Sequence, residues 1–437
     1  MSSAAFQASS LAGLYVEASP ALPLLGVSLS LKTGSALDPV GKEGTARLMA
    51  RLIRRTGGGR TAVETDLLLD ALGGSLGAEA ACSTLGLHGG VISRGAERFM
   101  DALSDVVLRP SFRADEFELL VREAEGELVE ALDNDRSLAR RWFRRKLFEG
   151  HPYGRPPGGT PSTLPRVTLA DVEALYRRVF VRSNIVLGLS GDLDEARAER
   201  FAEHLTGTLP EGPRPEDDVP EPVGPRGRHL VIVDKPERTQ TQILIGGLGT
   251  HPEDPDHTAL HVGNTIFGGT FTARLCQEVR AKRGWSYGAT SSVAFDRQRH
   301  AFSLWTFPKA EDAAPCIELQ LGMLKTLRDH GVTKKELAWA KKYLDRSHAF
   351  AIDTASKRVS LKVDSELYGL PAGYYEKYTE RLKAVTLDEV NAAVRRRLSD
   401  ENLIVSVVCT EKEIGAALRA SIPDLASVDV VPFDHND

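Results

Sequence analysis

The chain has 437 residues, 42% of them hydrophobic and 26% charged, with a formal net charge of −5. That is too long for one compact core, and the acidic balance lacks the basic footprint of a nucleic-acid binder. No run approaches the roughly 20 apolar residues of a membrane-spanning helix. Residues 1–10 hold no Lys or Arg followed by an apolar run, so they do not read as a secretory leader. This favours the cytoplasm; the periplasm stays open if a leader has been removed. Cys82, Cys276, Cys316 and Cys409 are scattered without a C-x-x-C pair. They read as small buried hydrophobes rather than a zinc or disulfide framework, which suits a reducing compartment.

In chain order, the first strand-like run is Leu24–Leu31. It leads through a Gly34-Ser35 turn into residues 38–51, an amphipathic helix carrying Arg47, Ala50 and Arg51. A second strand is expected over 86–91. A long charged helix follows within 108–130, ending in an acidic stretch that holds Glu123, Glu127 and Glu130. Next come His151-Pro152-Tyr153-Gly154, then Gly159-Thr160 and Leu164. After Val167-Thr168-Leu169 a helix leads to Asn184 and an apolar strand that ends at Gly191-Asp192.

Residues 209–228 contain Pro210, Pro213, Pro215, Pro220, Pro222 and Pro225 among acidic residues. Proline fixes φ and removes a donor, so an extended linker is expected there. It would divide the chain into lobes at 1–208 and 229–437. Beyond it, strands are expected over 230–233 and 242–246. His257 and His261 lie four apart on a helix with Asp254 and Asp256 before it; without a Glu in an activating position they read as a core or surface pair rather than metal ligands. Gly268-Gly269 would end that helix in a left-handed turn. Residues 274–283 read as a short basic helix and 285–293 as a strand, bringing Arg280, Trp285 and Tyr287 close together. A charged helix within 327–348 and a helix–Asn402–strand unit beginning at Val385-Thr386-Leu387 complete the chain.

The chain repeats itself. Val167 and Val385, and likewise Asn184 and Asn402, stand at one common offset. The charged helices within 108–130 and 327–348 also correspond. A duplicated domain follows: two homologous α+β lobes, each an antiparallel sheet with helices packed on one face, enclosing a cleft.

These pieces, in this order, resemble the pitrilysin and mitochondrial-processing-peptidase family of zinc peptidases over about residues 12–410. Active members carry H-x-x-E-H on the helix where this chain has Arg47, Ala50 and Arg51. Two His bind zinc, the Glu activates the water, and a later Glu is the third ligand. Here the His positions are guanidiniums, which have no lone pair to give a metal, and the base is alanine. Glu127 falls on the third-ligand position, with Glu130 as the alternative, and a salt bridge is expected where zinc would sit. The segment Gly268-Gly269, Arg274-Leu275, Arg280, Gly284 and Tyr287 resembles the family's Arg/Tyr motif, which binds peptide beside the zinc and stabilises the oxyanion. The plainer alternative makes Tyr287 a half-buried strand aromatic. In bacterial two-subunit members one protein supplies H-x-x-E-H and the other the Arg/Tyr pair. The resemblance therefore implies a chain inactive alone. It would hold no cofactor and would act as the non-catalytic subunit of a heterodimeric zinc peptidase, with zinc in a homologous partner and a peptide as substrate. A proteolytically silent scaffold or peptide-binding protein of the same fold is the alternative, and a homodimer is possible when the chain is alone.

Overall fold

A computed structural model describes residues 11–216 and 219–435. Residues 1–10, read above as no leader, lie outside the described residues, as do 217–218 of the proline-rich segment and 436–437. The first half forms a sheet from β1 (Gly13–Ala18), β2 (Leu24–Leu31), β3 (Gly74–Ala80), β4 (Leu85–Ile92) and β5 (Ile185–Gly191), in the order β1-β5-β2-β4-β3. The second half forms one from β6 (Arg228–Asp234), β7 (Gln242–Leu248), β8 (Ala289–Phe295), β9 (Arg299–Thr306), β10 (Leu403–Cys409) and β11 (Leu425–Pro432), in the order β11-β6-β10-β7-β9-β8. Without β11 the two orders are the same, strand for strand.

The sheets are mixed rather than wholly antiparallel. β5 comes after the helices and inserts between β1 and β2, parallel to the first and antiparallel to the second. β10 does the same between β6 and β7. A strand that runs parallel to its neighbour needs a long crossover connection, which the intervening helices supply. The helices leading into these strands match in length and in cap, while the asparagines after them make different bonds. Thr168 closes a capping box with Asp171 on Leu169–Val179, and Thr386 one with Glu389 on Leu387–Arg397. Asn184 Nδ2 then donates to Thr33 Oγ1 and to Val179 O, both at 2.8 Å, while Asn402 Oδ1 accepts the Gly227 N–H at 2.8 Å.

Each sheet packs its own helices on one face. The other face is covered by a helix from the opposite half. Asp135–Leu147 lies on β6, β7 and β10, where Leu138, Ala139, Phe143 and Leu147 meet Val231, Leu244, Ile404 and Val408. Ala355–Tyr368 lies on β1, β2 and β5, where Val359, Val363 and Leu367 meet Val186. The halves thus exchange helices. Tyr153, fully buried, adds a tie across the junction: its hydroxyl accepts the N–H of Gln298 at 2.9 Å. The segment after Leu209 is extended, and Pro210 O and Gly212 O accept from Arg182 N and Ser183 Oγ. A groove of about 800 Å³ opens where the halves meet. No described helix is long and apolar enough to cross a membrane.

Candidate functional site

The helix Thr45–Thr56 begins on a tight support. Asp38 Oδ2 accepts the Gly44 N–H at 2.9 Å and Oδ1 the Ala46 N–H at 2.8 Å, meeting donors that the first helical turn leaves open. Burial nonetheless pushes this carboxyl up to about 7, against the pull of those two donors. Gly44 has φ 105, and a Cβ there would come 2.7 Å from Leu164 Cδ2, so the Gly159–Leu164 loop closes directly on the helix start.

Arg47, Arg51 and Arg55 recur every four residues and form one stripe of this helix. Glu123 and Glu127 form the answering stripe on Ala114–Ala131. Arg47 Nη2 reaches Glu127 Oε2 at 2.7 Å, and Arg51 Nη2 reaches Glu127 Oε1 at 2.9 Å. Arg51 also approaches Glu123 at 3.5 Å, and Arg55 grips Glu123 through two contacts of 3.2 and 2.5 Å. Hydrogen bonds from Arg55 hold the Glu123 carboxyl below the usual range. The structure therefore brings Arg47, Arg51 and Glu127 together and turns Glu130 out to solvent. Ala50 is fully buried in the first core. These residues do not fit a zinc ion: two permanent cations hold the one carboxylate, and no base stands beside it. Among the described residues no group of three or more His, Cys, Asp or Glu side chains is placed to bind a metal.

The second candidate site lies on the other lobe. Gly268 has φ −155, so the expected left-handed turn is absent; glycine is needed for close approach instead. A Cβ at Gly268 would fall 2.4 Å from Ser291 Oγ, and one at Gly269 2.9 Å from Thr265 Cα. The expected basic helix is one α-turn, Arg274–Cys276, running into a π-helical turn, Gln277–Lys282. Such turns concentrate at functional sites. The strand expected from 285 starts only at Ala289, because Gly284 (φ 67) reverses the chain and residues 285–288 pass over as an irregular segment. Trp285 is half-buried against the second core.

In this loop Arg280 is held by rings. Its guanidinium carbon sits 3.9 Å from the Phe271 centroid and 4.7 Å from that of Tyr287. Both aromatics are exposed, Phe271 at 61% and Tyr287 at 75%. The neighbouring cations are occupied elsewhere: Lys282 and Arg283 both pair with Glu278. The loop is anchored from below by Arg274, whose Nε and Nη2 each meet a Glu336 oxygen at 2.7 Å. That fork and the Thr333 N–H lower the Glu336 carboxyl to about 2. Sequence reasoning missed Phe271 as a partner of Arg280, since only the fold brings it over the guanidinium.

His257 and His261 do not form a ligand pair. His257 Nδ1 lies 2.9 Å from Thr250 Oγ1, and burial holds both imidazoles low, His257 at about 3. Asp256 is occupied by Arg396 and Arg397, and Asp254 by Arg397.

Comparison with known proteins matches both halves of the chain to one peptidase family. Residues 15–160 match the insulinase model of peptidase family M16, and residues 166–344 match the model of the M16 inactive domain. An uncharacterized zinc protease of Mycobacterium tuberculosis is 27% identical over 391 residues, covering 87% of each chain. A non-peptidase homolog of Helicobacter pylori is 21% identical over 394 residues, covering 90% of each. Among solved structures, a peptidase M16 inactive domain from Pseudomonas fluorescens superposes with a TM-score of 0.85 at 25% identity, over 92% of this chain and 96% of its own. With both halves matched by models of that one family and the fold superposing over nearly the whole chain, this chain belongs to peptidase family M16.

Proposed function

We propose that the chain is the non-catalytic partner of a zinc-bearing M16 peptidase, holding an extended peptide and presenting Arg280 and Tyr287 to the partner's reaction centre. The observation that carries this reading is the contrast between the two sites. At the zinc-motif position, guanidiniums are locked onto Glu127. At the Gly-Gly loop, a half-buried guanidinium is stacked on a phenol that is itself open to solvent. The names of the M16 inactive-domain model and of the non-peptidase relative support the non-catalytic part. A guanidinium free of carboxylates can take a peptide carbonyl or the negative charge that develops on it, and a phenol can donate to the same oxygen.

The test is peptide cleavage by this chain alone, by an H-x-x-E-H homologue alone and by the two mixed. We expect activity to rise only on mixing. In the mixture Tyr287→Phe should lower turnover by about 10²–10³ while the complex still assembles, and Arg280→Ala should weaken peptide binding as well. Unchanged cleavage with both variants would favour a silent scaffold.

A further inference from the structure

The two sheets differ in one strand. In the second, β11 pairs with β6 along its whole length and in parallel. The first-lobe counterpart of β6 is β1, and nothing among the described residues pairs with its outer edge. The duplication explains the gap. The helix Glu411–Ala420 leads into β11, whereas the matching helix Glu195–Thr206 leads into Leu209-Pro210-Glu211-Gly212-Pro213-Arg214-Pro215. Proline cannot supply ladder donors, and this stretch is held instead by Arg182 N and Ser183 Oγ through Pro210 O and Gly212 O. Burial shows the consequence. Leu230, Val231, Ile232 and Val233 of β6 are all buried, while every residue of β1 is partly or fully exposed.

The free edge of β1 opens into the groove of about 800 Å³ at the junction of the halves. Ser19 gives its N–H to Gly191 O at 2.7 Å, and the β1–β5 register runs unbroken from Gly13↔Val186 to Ala18↔Gly191. Strand backbones alternate, so the amides of Gly13, Tyr15 and Glu17 face β5, while those of Leu14, Val16 and Ala18 point away from it, into that groove. One wall is the helix Glu195–Thr206, with Glu195 and Glu199; the other is Ala355–Tyr368 and the loop beyond it, with Lys362, Glu366 and Glu376. Glu366 is held by Lys32 at 2.7 Å and by the Tyr15 hydroxyl at 3.3 Å. Glu195, Glu199 and Glu376 are left facing the opening, where Lys362 is the only cation among the described residues that line it.

We propose that this edge is a docking slot for an extended, Lys- or Arg-bearing segment of a partner protein, which enters the first sheet as a further strand between the two helix walls. The backbone edge supplies the ladder, the helix walls exclude water from it, and the surplus of carboxylates selects a basic strand over an acidic one.

The probe is a fluorescent peptide of alternating Lys and Val, with an alternating Glu and Val peptide as its counterpart, read by anisotropy and by amide exchange. We expect the Lys-Val peptide to bind and to slow exchange at Leu14, Val16 and Ala18. Glu195→Gln, Glu199→Gln and Glu376→Gln together should weaken it about tenfold. Replacing the same three by Lys should reverse the preference toward the Glu-Val peptide. Absence of binding, binding indifferent to these substitutions, or protection confined to β3 or β8 would overturn the proposal. So would protection of the β1 amides in the free protein that disappears when residues 1–10 are deleted, which would give the slot to the chain's own N-terminus. A concentration-dependent dimer in sedimentation that the Lys replacements dissolve would give it to a second copy.

Discussion

Glu127 is the pivot between the helices Thr45–Thr56 and Ala114–Ala131, because Arg47 and Arg51 both depend on it for their countercharge. These side chains are partly solvent-exposed, so each contact is worth little alone. Glu127→Ala, however, leaves two guanidiniums facing each other, and a loss of about 1 kcal/mol in chemical denaturation is expected. The purified protein should carry no stoichiometric zinc in elemental analysis. Arg47→His with Arg51→His should take up about one zinc per chain through Glu127; failure to do so would mean that Glu127 does not hold the third-ligand position. Adding Ala50→Glu puts a carboxyl into a fully buried position and should lower the melting temperature of the double variant. At the other site Phe271→Ala removes one of two rings from Arg280, and a fall of about two- to fivefold in peptide affinity of the mixed complex is expected. The arginine and glutamate stripes were open to reading in the sequence, because spacing by four marks one helix face. Phe271 was not, because it precedes Arg280 by more than two turns of chain and reaches it only through the Gly268-Gly269 approach to Ser291.

Among the elements, the segment from Gly268 to Tyr287 is the one whose shape depends on a remote support, the fork of Arg274 on Glu336 in the helix Lys334–Ala351. The Glu336 carboxyl is depressed in the folded state to about 2. Its stabilising contribution is therefore complete above its ordinary value near 4.5 and disappears as pH falls from there toward 2. Wild type and Glu336→Gln should thus differ in melting temperature at neutral pH and converge in that acid window, as differential scanning calorimetry would show. The strands β2, β4, β5, β6, β7 and β10 were legible from apolar runs, whereas β1, β3, β9 and β11 were not. The π-turn was not, since nothing in local propensity distinguishes a five-residue turn from a four-residue one; it is set by how the loop is clamped at Arg274 and Gly284. The parallel pairings of β5 and β10 also escaped the sequence, because an apolar strand after a helix does not declare which neighbour it will choose.

On the scale of the molecule, the exchanged helices decide how the halves depend on each other. Phe143 belongs to the first half by sequence and to the second by packing. Phe143→Ala should cost about 3–5 kcal/mol, and both lobes should melt together rather than in two steps. Cleavage within residues 209–228 should leave the two fragments associated through gel filtration, where separate lobes joined by a plain tether would part. The repeat itself foretold two like sheets, but not that each would lend a helix to the other, since an amphipathic helix shows only that it has a buried face and not whose sheet it will cover. The same exchange sets a timetable on the ribosome. The outer face of the first sheet stays bare until Ala355–Tyr368 has been made, roughly 180 residues after β5 and so on the order of ten seconds or more at ordinary rates of synthesis. Throughout that interval the nascent chain displays Val186, and the helix Asp135–Leu147 waits longer still, for β10, so early chaperone contact with the growing polypeptide should fall once Tyr368 clears the exit tunnel and end only after Cys409 does.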